Sequence, residues 1–152
     1  MRNEQKGFSL IELLILVAII LIIAAIAIPN LLRSKMAANE ASAVGSLRSI
    51  NTAAVTFSTQ CGGYPPSLAA MGPPFVACTT ADLIDGVLSA GTKSGYNFVY
   101  TPAGGPPATT YTLTAHPVTA GTTGQRFFFT DQSGVIRASN AGAADVNSTP
   151  IS

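Results

Sequence analysis

Charged and metal-binding side chains are scarce in this chain of 152 residues. Lysine and arginine number eight and aspartate and glutamate seven, and together they make up 10% of the sequence. Nucleic-acid binding needs a concentrated basic face, so this balance gives no indication of a nucleic-acid site. The chain has one histidine, His116, and two cysteines, which do not form a four-ligand zinc set. We therefore expect neither a metal nor a cofactor.

Catalytic motifs are also missing from the sequence. There is no phosphate-binding Gly-Lys-Ser/Thr loop, the serines lack the context of a nucleophile elbow, and His116 precedes a proline at the end of a predicted strand. The length leaves room for one small domain besides the N-terminal segment. We expect a protein that is not an enzyme.

The most prominent feature that is present is an apolar run at residues 7–32, broken by one carboxylate, Glu12, and one proline, Pro29. As a helix, residues 8–28 would be roughly 31 Å long, which is close to the thickness of a bilayer's hydrocarbon core. The run therefore predicts a membrane-spanning half-helix. A carboxylate in such a helix costs on the order of a few kcal/mol and persists mainly where it has a partner or a function.

A short charged stretch, residues 1–7, precedes the apolar run and looks like a leader peptide held on the cytoplasmic side. Lys6-Gly7 is followed by Phe8-Ser-Leu-Ile-Glu12 and then by the long apolar segment. This arrangement resembles the class III signal of type IV pilins and the related pseudopilins.

The resemblance implies a processing pathway and four functional positions. A prepilin peptidase would cut after Gly7 and methylate the new amine on Phe8. Glu12, together with Phe8, would dock one subunit against another in a filament. Pro29 would be the proline that bends the helix.

Two other interpretations of the N terminus remain open. An ordinary secretory signal would use Arg2 and Lys6 as its basic region, residues 13–24 as its apolar region and residues 25–27 as its cleavage site. Glu12 has no use in such a signal. The other alternative is a plain membrane anchor without a role in a filament.

Beyond Pro29, apolar residues recur at spacings of three and four, which predicts an amphipathic helix. Glu40 is expected to lie off its apolar face. With the membrane half, this gives one helix over residues 8–59, ending before the Gly62-Gly63 pair. The apolar face comprises Ala37, Ala41, Val44, Leu47, Ile50, Ala54 and Phe57.

The rest of the chain predicts an α+β fold, with the long N-terminal helix packed on a C-terminal antiparallel sheet. Residues 60–94 are proline-rich and predict a connector with short helices, one of them capped by Thr79 and Asp82. From Gly95 the apolar period becomes two, and residues 95–152 predict four short strands in a meander followed by a loop-like tail. The pilin resemblance implies the same architecture.

Two further positions are candidates for covalent modification. Cys61 and Cys78 form an even pair, which outside the cytoplasm is most simply a disulfide. Asn147 stands in the sequence Asp145-Val-Asn-Ser-Thr149, an acceptor pattern for glycosylation.

These observations favour a structural subunit of a type IV pilus. Its partners would be other copies of itself in a helical homopolymer, the prepilin peptidase and an assembly platform in the inner membrane. The subunit would span the inner membrane once before assembly and lie outside the cell, or in the periplasm, afterwards. The first alternative is a pseudopilin of a type II secretion or DNA-uptake system. The second is a membrane-tethered extracytoplasmic binding module.

Overall fold

The computed structural model describes residues 7–151, which fall into two compact units that meet in the sequence between Ser34 and Lys35. We call residues 7–34 the N-terminal unit and residues 35–151 the C-terminal unit. Helix α1, Leu10–Cys61, contributes residues to both units. The leader predicted at residues 1–7 lies outside the described residues except for Gly7.

Helix α1 ends where the sequence places a glycine pair. Gly62 has a φ of +76°, and its amide donates to the carbonyl oxygen of Ser58 over 3.0 Å. A left-handed residue after the last turn caps the free carbonyls of a helix, and glycine adopts this conformation without a steric penalty. The helix therefore stops two residues beyond the predicted Thr59.

The C-terminal unit contains a six-stranded sheet. Its strands lie in sequence order and every neighbouring pair is antiparallel, so the sheet is a simple meander. Between α1 and the sheet lie a short 3-10 turn, Ala69–Met71, and the short helix α2, Gly86–Ser89. The strands are β1, Thr92–Lys93; β2, Tyr96–Ala103; β3, Thr110–Pro117; β4, Phe127–Asp131; β5, Arg137–Ser139; and β6, Thr149–Pro150.

The core lies between the C-terminal unit's part of α1 and one face of this sheet. Leu47 and Ile50 of α1 are fully buried in one cluster with Leu113, Phe128 and Ile136. Alternate residues of β2 and β3 point into it, as the two-residue period predicted. The α+β prediction of a long helix packed on an antiparallel sheet is confirmed.

The apolar face of α1 is placed differently from the prediction near Lys35. Ala37 and Ala41 are exposed, whereas Met36, Glu40 and Ala43 are buried. The helix face is therefore rotated by about one residue there, and the expectation that Glu40 lies off the buried face is wrong. Glu40 is tolerated at this buried position because the Gln125 amide and the Arg126 guanidinium donate to its carboxylate.

Two further expectations are also wrong. The cap of the short helix is Asp85 rather than Thr79 with Asp82, because the Asp85 side chain accepts from the Leu88 amide over 2.8 Å. The tail is not only loop, because Thr149 pairs with Ala138 to place β6 at the edge of the sheet.

Candidate functional site

The processing motif lies at the exposed start of the described chain. Gly7, Phe8 and Ser9 precede α1 without regular secondary structure, and Phe8 is 80% exposed. An ideal Cβ built on Gly7 has no heavy atom within 4 Å. The peptide bond between Gly7 and Phe8 is therefore open to an enzyme, as a cleavage site requires. Cleavage after Gly7 and methylation of Phe8 remain predictions.

Glu12 forms a hydrogen bond within its own chain that the motif did not predict. One of its carboxylate oxygens accepts from the Ser9 backbone amide at 3.3 Å. Ser9 and Glu12 have the spacing of a capping box, in which the acidic residue in the first turn satisfies an amide that has no partner in the helix. Glu12 thus has a structural role within its own chain, and its role in docking remains a prediction.

The N-terminal unit keeps its apolar surface uncovered. Every residue from 7 to 34 is exposed except Ala24, which is half-buried. Among the described residues, α1 is the one helix long and apolar enough to cross a membrane. Exposing this many leucine and isoleucine side chains to water is unfavourable, so lipid or other apolar helices must cover them.

Pro29 lies inside α1, which is continuous on both sides of it. Proline removes one backbone donor and crowds the preceding turn, and helices in apolar surroundings tolerate it where neighbouring groups satisfy the freed carbonyl. A kink at Pro29 stays a prediction.

The predicted disulfide is present. The sulfur atoms of Cys61 and Cys78 are bonded, which ties the last residue of α1 to the connector. The disulfide also borders a groove of about 540 Å³ that is lined mainly by apolar atoms of Phe57, Tyr64 and four prolines.

Glu40 forms the most strongly connected polar group in the C-terminal unit. One carboxylate oxygen accepts from the amides of Gln125 and Arg126 at 2.9 and 3.2 Å, and the other from the Arg126 guanidinium at 2.7 Å. Burial alone would raise the pKa of Glu40, but these hydrogen bonds outweigh it and hold the pKa below its usual value. Glu40 thereby fixes the loop before β4 to α1.

Neighbouring side chains extend this connection. The Asn39 amide donates to the Thr123 carbonyl at 2.8 Å, and the Tyr96 hydroxyl donates to the Arg126 carbonyl at 2.9 Å. Burial, followed by the charge of Glu40, raises the pKa of Tyr96 to about 12, so this hydroxyl keeps its proton. The sequence pattern did not predict these bonds of Glu40, because an isolated glutamate on a helix usually lies on the solvent-exposed face.

Asn147 is exposed and follows Asp145 in a tight turn. The backbone N–H of Asn147 donates to the Asp145 carboxylate at 2.9 Å, and the hydroxyl of Ser148 donates to the same carboxylate at 3.1 Å. The acceptor pattern is therefore on the surface, and glycosylation at Asn147 remains a prediction.

Comparison with known proteins identifies the N-terminal motif. Residues 2–28 match the family profile described as "Prokaryotic N-terminal methylation motif". The profile covers the predicted cleavage position, Glu12 and the predicted membrane-spanning half-helix. No solved structure matches the chain.

Three curated proteins are similar to this chain. The type IV major fimbrial protein FimA of Dichelobacter nodosus is 37% identical over 97 residues, which are 62% of this chain and 56% of that protein. The type IV major pilin protein PilA of Myxococcus xanthus is 42% identical over 61 residues, 40% of this chain and 28% of its own length. The chain thus spans about half or less of these two relatives.

The third relative is covered more fully. The type IV wide pilus major component PilA4 of Thermus thermophilus is 36% identical over 94 residues, which are 62% of this chain and 71% of that protein. This coverage, the methylation motif and a long helix packed on an antiparallel sheet agree with one another. The chain belongs to the type IV pilin family.

Proposed function

We propose that this protein is a structural subunit of a type IV pilus and that it polymerises through its N-terminal unit. The observation that carries the proposal is the uncovered apolar surface of residues 7–34, which begins at the predicted cleavage position and overlaps the methylation motif of residues 2–28. Lipid covers such a surface in a membrane-inserted subunit, and the helices of other copies cover it in a filament. The protein acts as a building unit rather than as an enzyme.

The first step of this proposal is processing by a prepilin peptidase. Hydrolysis after Gly7 releases the charged leader, and methylation leaves a secondary amine on Phe8 that is still a cation. The new N terminus lies four residues before Glu12 in the sequence, at the positive end of the α1 dipole.

The second step is docking between copies. In a lone subunit, the Glu12 carboxylate is partly satisfied by the Ser9 amide. Beside a second subunit it can also accept a charge-assisted hydrogen bond from the methylated amine of that subunit's Phe8. Apolar helix contacts distinguish registers poorly because lipid solvates leucine and isoleucine equally well. The ion pair therefore selects the register.

In this proposal the subunit spans the inner membrane once, with the C-terminal unit outside the cytoplasm, until the assembly platform extracts it into an extracellular filament. The disulfide supports export, because such bonds persist in oxidising compartments. A pseudopilin of a secretion or DNA-uptake system would share processing and docking, and would differ in forming a short filament in the periplasm. The names of the relatives, a major fimbrial protein and two major pilus components, favour the pilus.

Two substitutions at Glu12 separate docking from helix capping. Glu12→Leu removes both the charge and the acceptor for the Ser9 amide. Glu12→Gln keeps an acceptor suited to a capping box and removes only the charge. We expect both variants to leave processed subunit in the inner membrane, while electron microscopy finds few or no filaments.

The control for these variants is the unmodified chain in the same deletion background, which should restore surface filaments. If Glu12→Gln assembles at the abundance of the unmodified chain, Glu12 acts only as a cap and the docking role is wrong. If deletion of the protein removes no surface filament but blocks secretion, the pseudopilin alternative replaces the pilus.

A further inference from the structure

A pocket lined mainly by polar groups lies at the end of the sheet that carries β5 and β6. Its volume is about 430 Å³. One side is Arg126, which directly precedes β4, and another is the end of β5 with Asn140. The tail contributes Asn147, Ser148, Thr149 and Ile151. The pocket therefore combines one cation with amide and hydroxyl groups.

The Arg126 side chain is held in one orientation. Its Nε donates to a carboxylate oxygen of Glu40 at 2.7 Å, and its guanidinium carbon lies 5.4 Å from the centre of the Phe128 ring. Contact with the carboxylate and with the ring face restricts the plane of the guanidinium. A ligand therefore meets a cation that is already positioned, and its binding does not have to order a free arginine.

The outer end of the Arg126 guanidinium is open. The second oxygen of Glu40 is taken by the backbone amides of Gln125 and Arg126, so one bond joins the two side chains. Within residues 7–151, the terminal nitrogens Nη1 and Nη2 make no hydrogen bond, and the side chain is 40% exposed. These two nitrogens present parallel donors that match the two oxygens of a carboxylate.

Three further side chains of the pocket are free to bind a ligand. The side-chain amides of Asn140 and Asn147 and the hydroxyl of Thr149 make no hydrogen bond to other described residues, and all three residues are exposed. Amides and hydroxyls can both donate and accept. Groups of this kind around a cation match a ligand that carries hydroxyl groups beside a carboxylate.

The wall formed by the tail is held in place without a ligand. Arg137 Nη1 donates to the Ser148 carbonyl at 3.1 Å, and the Ile151 amide donates to the Ile136 carbonyl at 2.8 Å. The nearby carboxylate of Asp145 accepts from the Asn147 amide and the Ser148 hydroxyl. The positive charge of Arg137 offsets that of Asp145, so the wall adds no net negative charge to the pocket.

We propose that this pocket binds a hexuronate, a sugar acid, with its carboxylate on Arg126 and its ring hydroxyls on Asn140, Asn147 and Thr149. Backbone amides share the charge of Glu40, so the guanidinium retains an attraction for a second anion. The volume lies in the range of small-ligand sites, about 300–1,000 Å³. A sugar acid fits better than an acidic peptide side chain, because the ring brings a hydroxyl to each of the three neutral groups.

Titration of the full chain tests this site. The nitrogen-15-labelled protein is produced without glycosylation, held in a detergent that contains neither sugar nor carboxylate, and followed by nuclear magnetic resonance. The probes are glucuronate, glucose and inorganic sulfate. We expect glucuronate to shift the side-chain amide signals of Asn140 and Asn147. It should bind at least about tenfold more tightly than glucose, which has no charge, or sulfate, which has no ring hydroxyls.

A conservative variant tests the role of Arg126. Arg126→Lys keeps a cation beside Glu40 but removes the fork, and should weaken glucuronate binding by about tenfold or more. The matched control is Arg48→Lys, since Arg48 is exposed on α1 and does not line the pocket. If Arg126→Lys lowers the melting temperature, Thr149→Val replaces it as the test, because this exposed side chain can be changed without disturbing the core. It should weaken binding several-fold at an unchanged melting temperature.

Three results would overturn the proposal: no shift with glucuronate, equal affinities for glucuronate and glucose, or unmodified affinity in both Arg126→Lys and Thr149→Val. Equal binding of sulfate would indicate an anion site that does not recognise the ring, and would overturn the assignment to a sugar acid. These measurements use the subunit alone, so they succeed or fail independently of whether the chain forms filaments.

Discussion

The two units of this pilin use the same apolar residue types in opposite ways. In the N-terminal unit, Leu21 is 62% exposed and Ile20 is 54% exposed. In the C-terminal unit, Leu47 and Ile50 of the same helix are fully buried by the sheet. The helix is almost continuously apolar before Pro29 and mixes polar with apolar residues after it, and the sheet covers the apolar face of this second part. The C-terminal unit encloses its own core, whereas the N-terminal unit depends on lipid or on other copies.

The largest expected effect comes from shortening one leucine in each unit. Leu47→Ala should lower the free energy of unfolding of the C-terminal unit by about 2–5 kcal/mol, because it leaves a cavity in a closed core. Leu21→Ala, the matched control, should change it by less than about 0.5 kcal/mol. All four tyrosines lie in the C-terminal unit and the chain has no tryptophan, so tyrosine fluorescence during denaturation in detergent measures that unit. An equal loss of unfolding free energy for both variants would contradict this distinction between the units.

Removing the disulfide sharpens the comparison because both cysteines belong to the C-terminal unit. With a sequence separation of 17 residues, the chain-entropy model gives about 3 kcal/mol of stabilisation. Cys61→Ala with Cys78→Ala should lower the unfolding free energy by about that amount, and reductant should do the same to the unmodified chain. Insertion of the N-terminal unit into membranes should not change. An unchanged melting curve in reductant would contradict this prediction.

Glu40 should make the C-terminal unit sensitive to acid. Its pKa is held below the ordinary value of 4.5 because bonds from Gln125 and Arg126 outweigh the effect of burial. A depressed pKa means that the stabilisation is complete above the ordinary value and is lost as the pH falls through the lower, folded value. Glu40→Gln should cost about 1.5–3 kcal/mol at neutral pH, the range for a hydrogen bond to a charged group.

Urea unfolding between about pH 3 and pH 7 checks this sign. The unmodified chain should lose stability toward the acid end, and the difference between it and Glu40→Gln should shrink there. A difference that is constant across this range would show that the charge of Glu40 is unimportant.

The smallest effect is expected at the surface pair of Lys93 and Asp85. Their side chains are 34% and 49% exposed, and the Lys93 Nζ lies 2.7 Å from the Asp85 carboxylate. Exposed pairs contribute about 0.2–1 kcal/mol, so Lys93→Ala should be nearly silent in thermal unfolding. Asp85→Ala should cost about 1 kcal/mol more because it also removes the cap of α2. A larger loss of stability for Lys93→Ala than for Asp85→Ala would contradict this prediction.

Local patterns predicted the fold but not the polar contacts between distant segments. The two-residue period placed Tyr96 and Leu113 inward, and the glycine pair after Cys61 placed the end of α1 within two residues. The burial of Glu40 depends on Arg126, which is 86 residues away in the sequence, and no helical period contains that information. The pairing of Thr149 with Ala138 likewise depends on which strand lies at the edge of the sheet, and the local pattern of the tail does not show this. For the N-terminal motif, residue identities predicted the family, whereas the cap between Glu12 and Ser9 required the backbone geometry.

The sheet has consequences for how crowded subunits behave. Its two outermost strands, Thr92–Lys93 and Thr149–Pro150, are each two residues long, and Pro150 has no amide hydrogen to offer. Long, flat edges recruit strands from other molecules and so nucleate cross-β aggregates. Beyond Asn97, the same side of β2 has no strand partner among the described residues, but Pro102 interrupts it because proline has no amide hydrogen. Short or proline-interrupted edges give an incoming strand little to join, so we expect the sheets of neighbouring copies not to pair edge to edge.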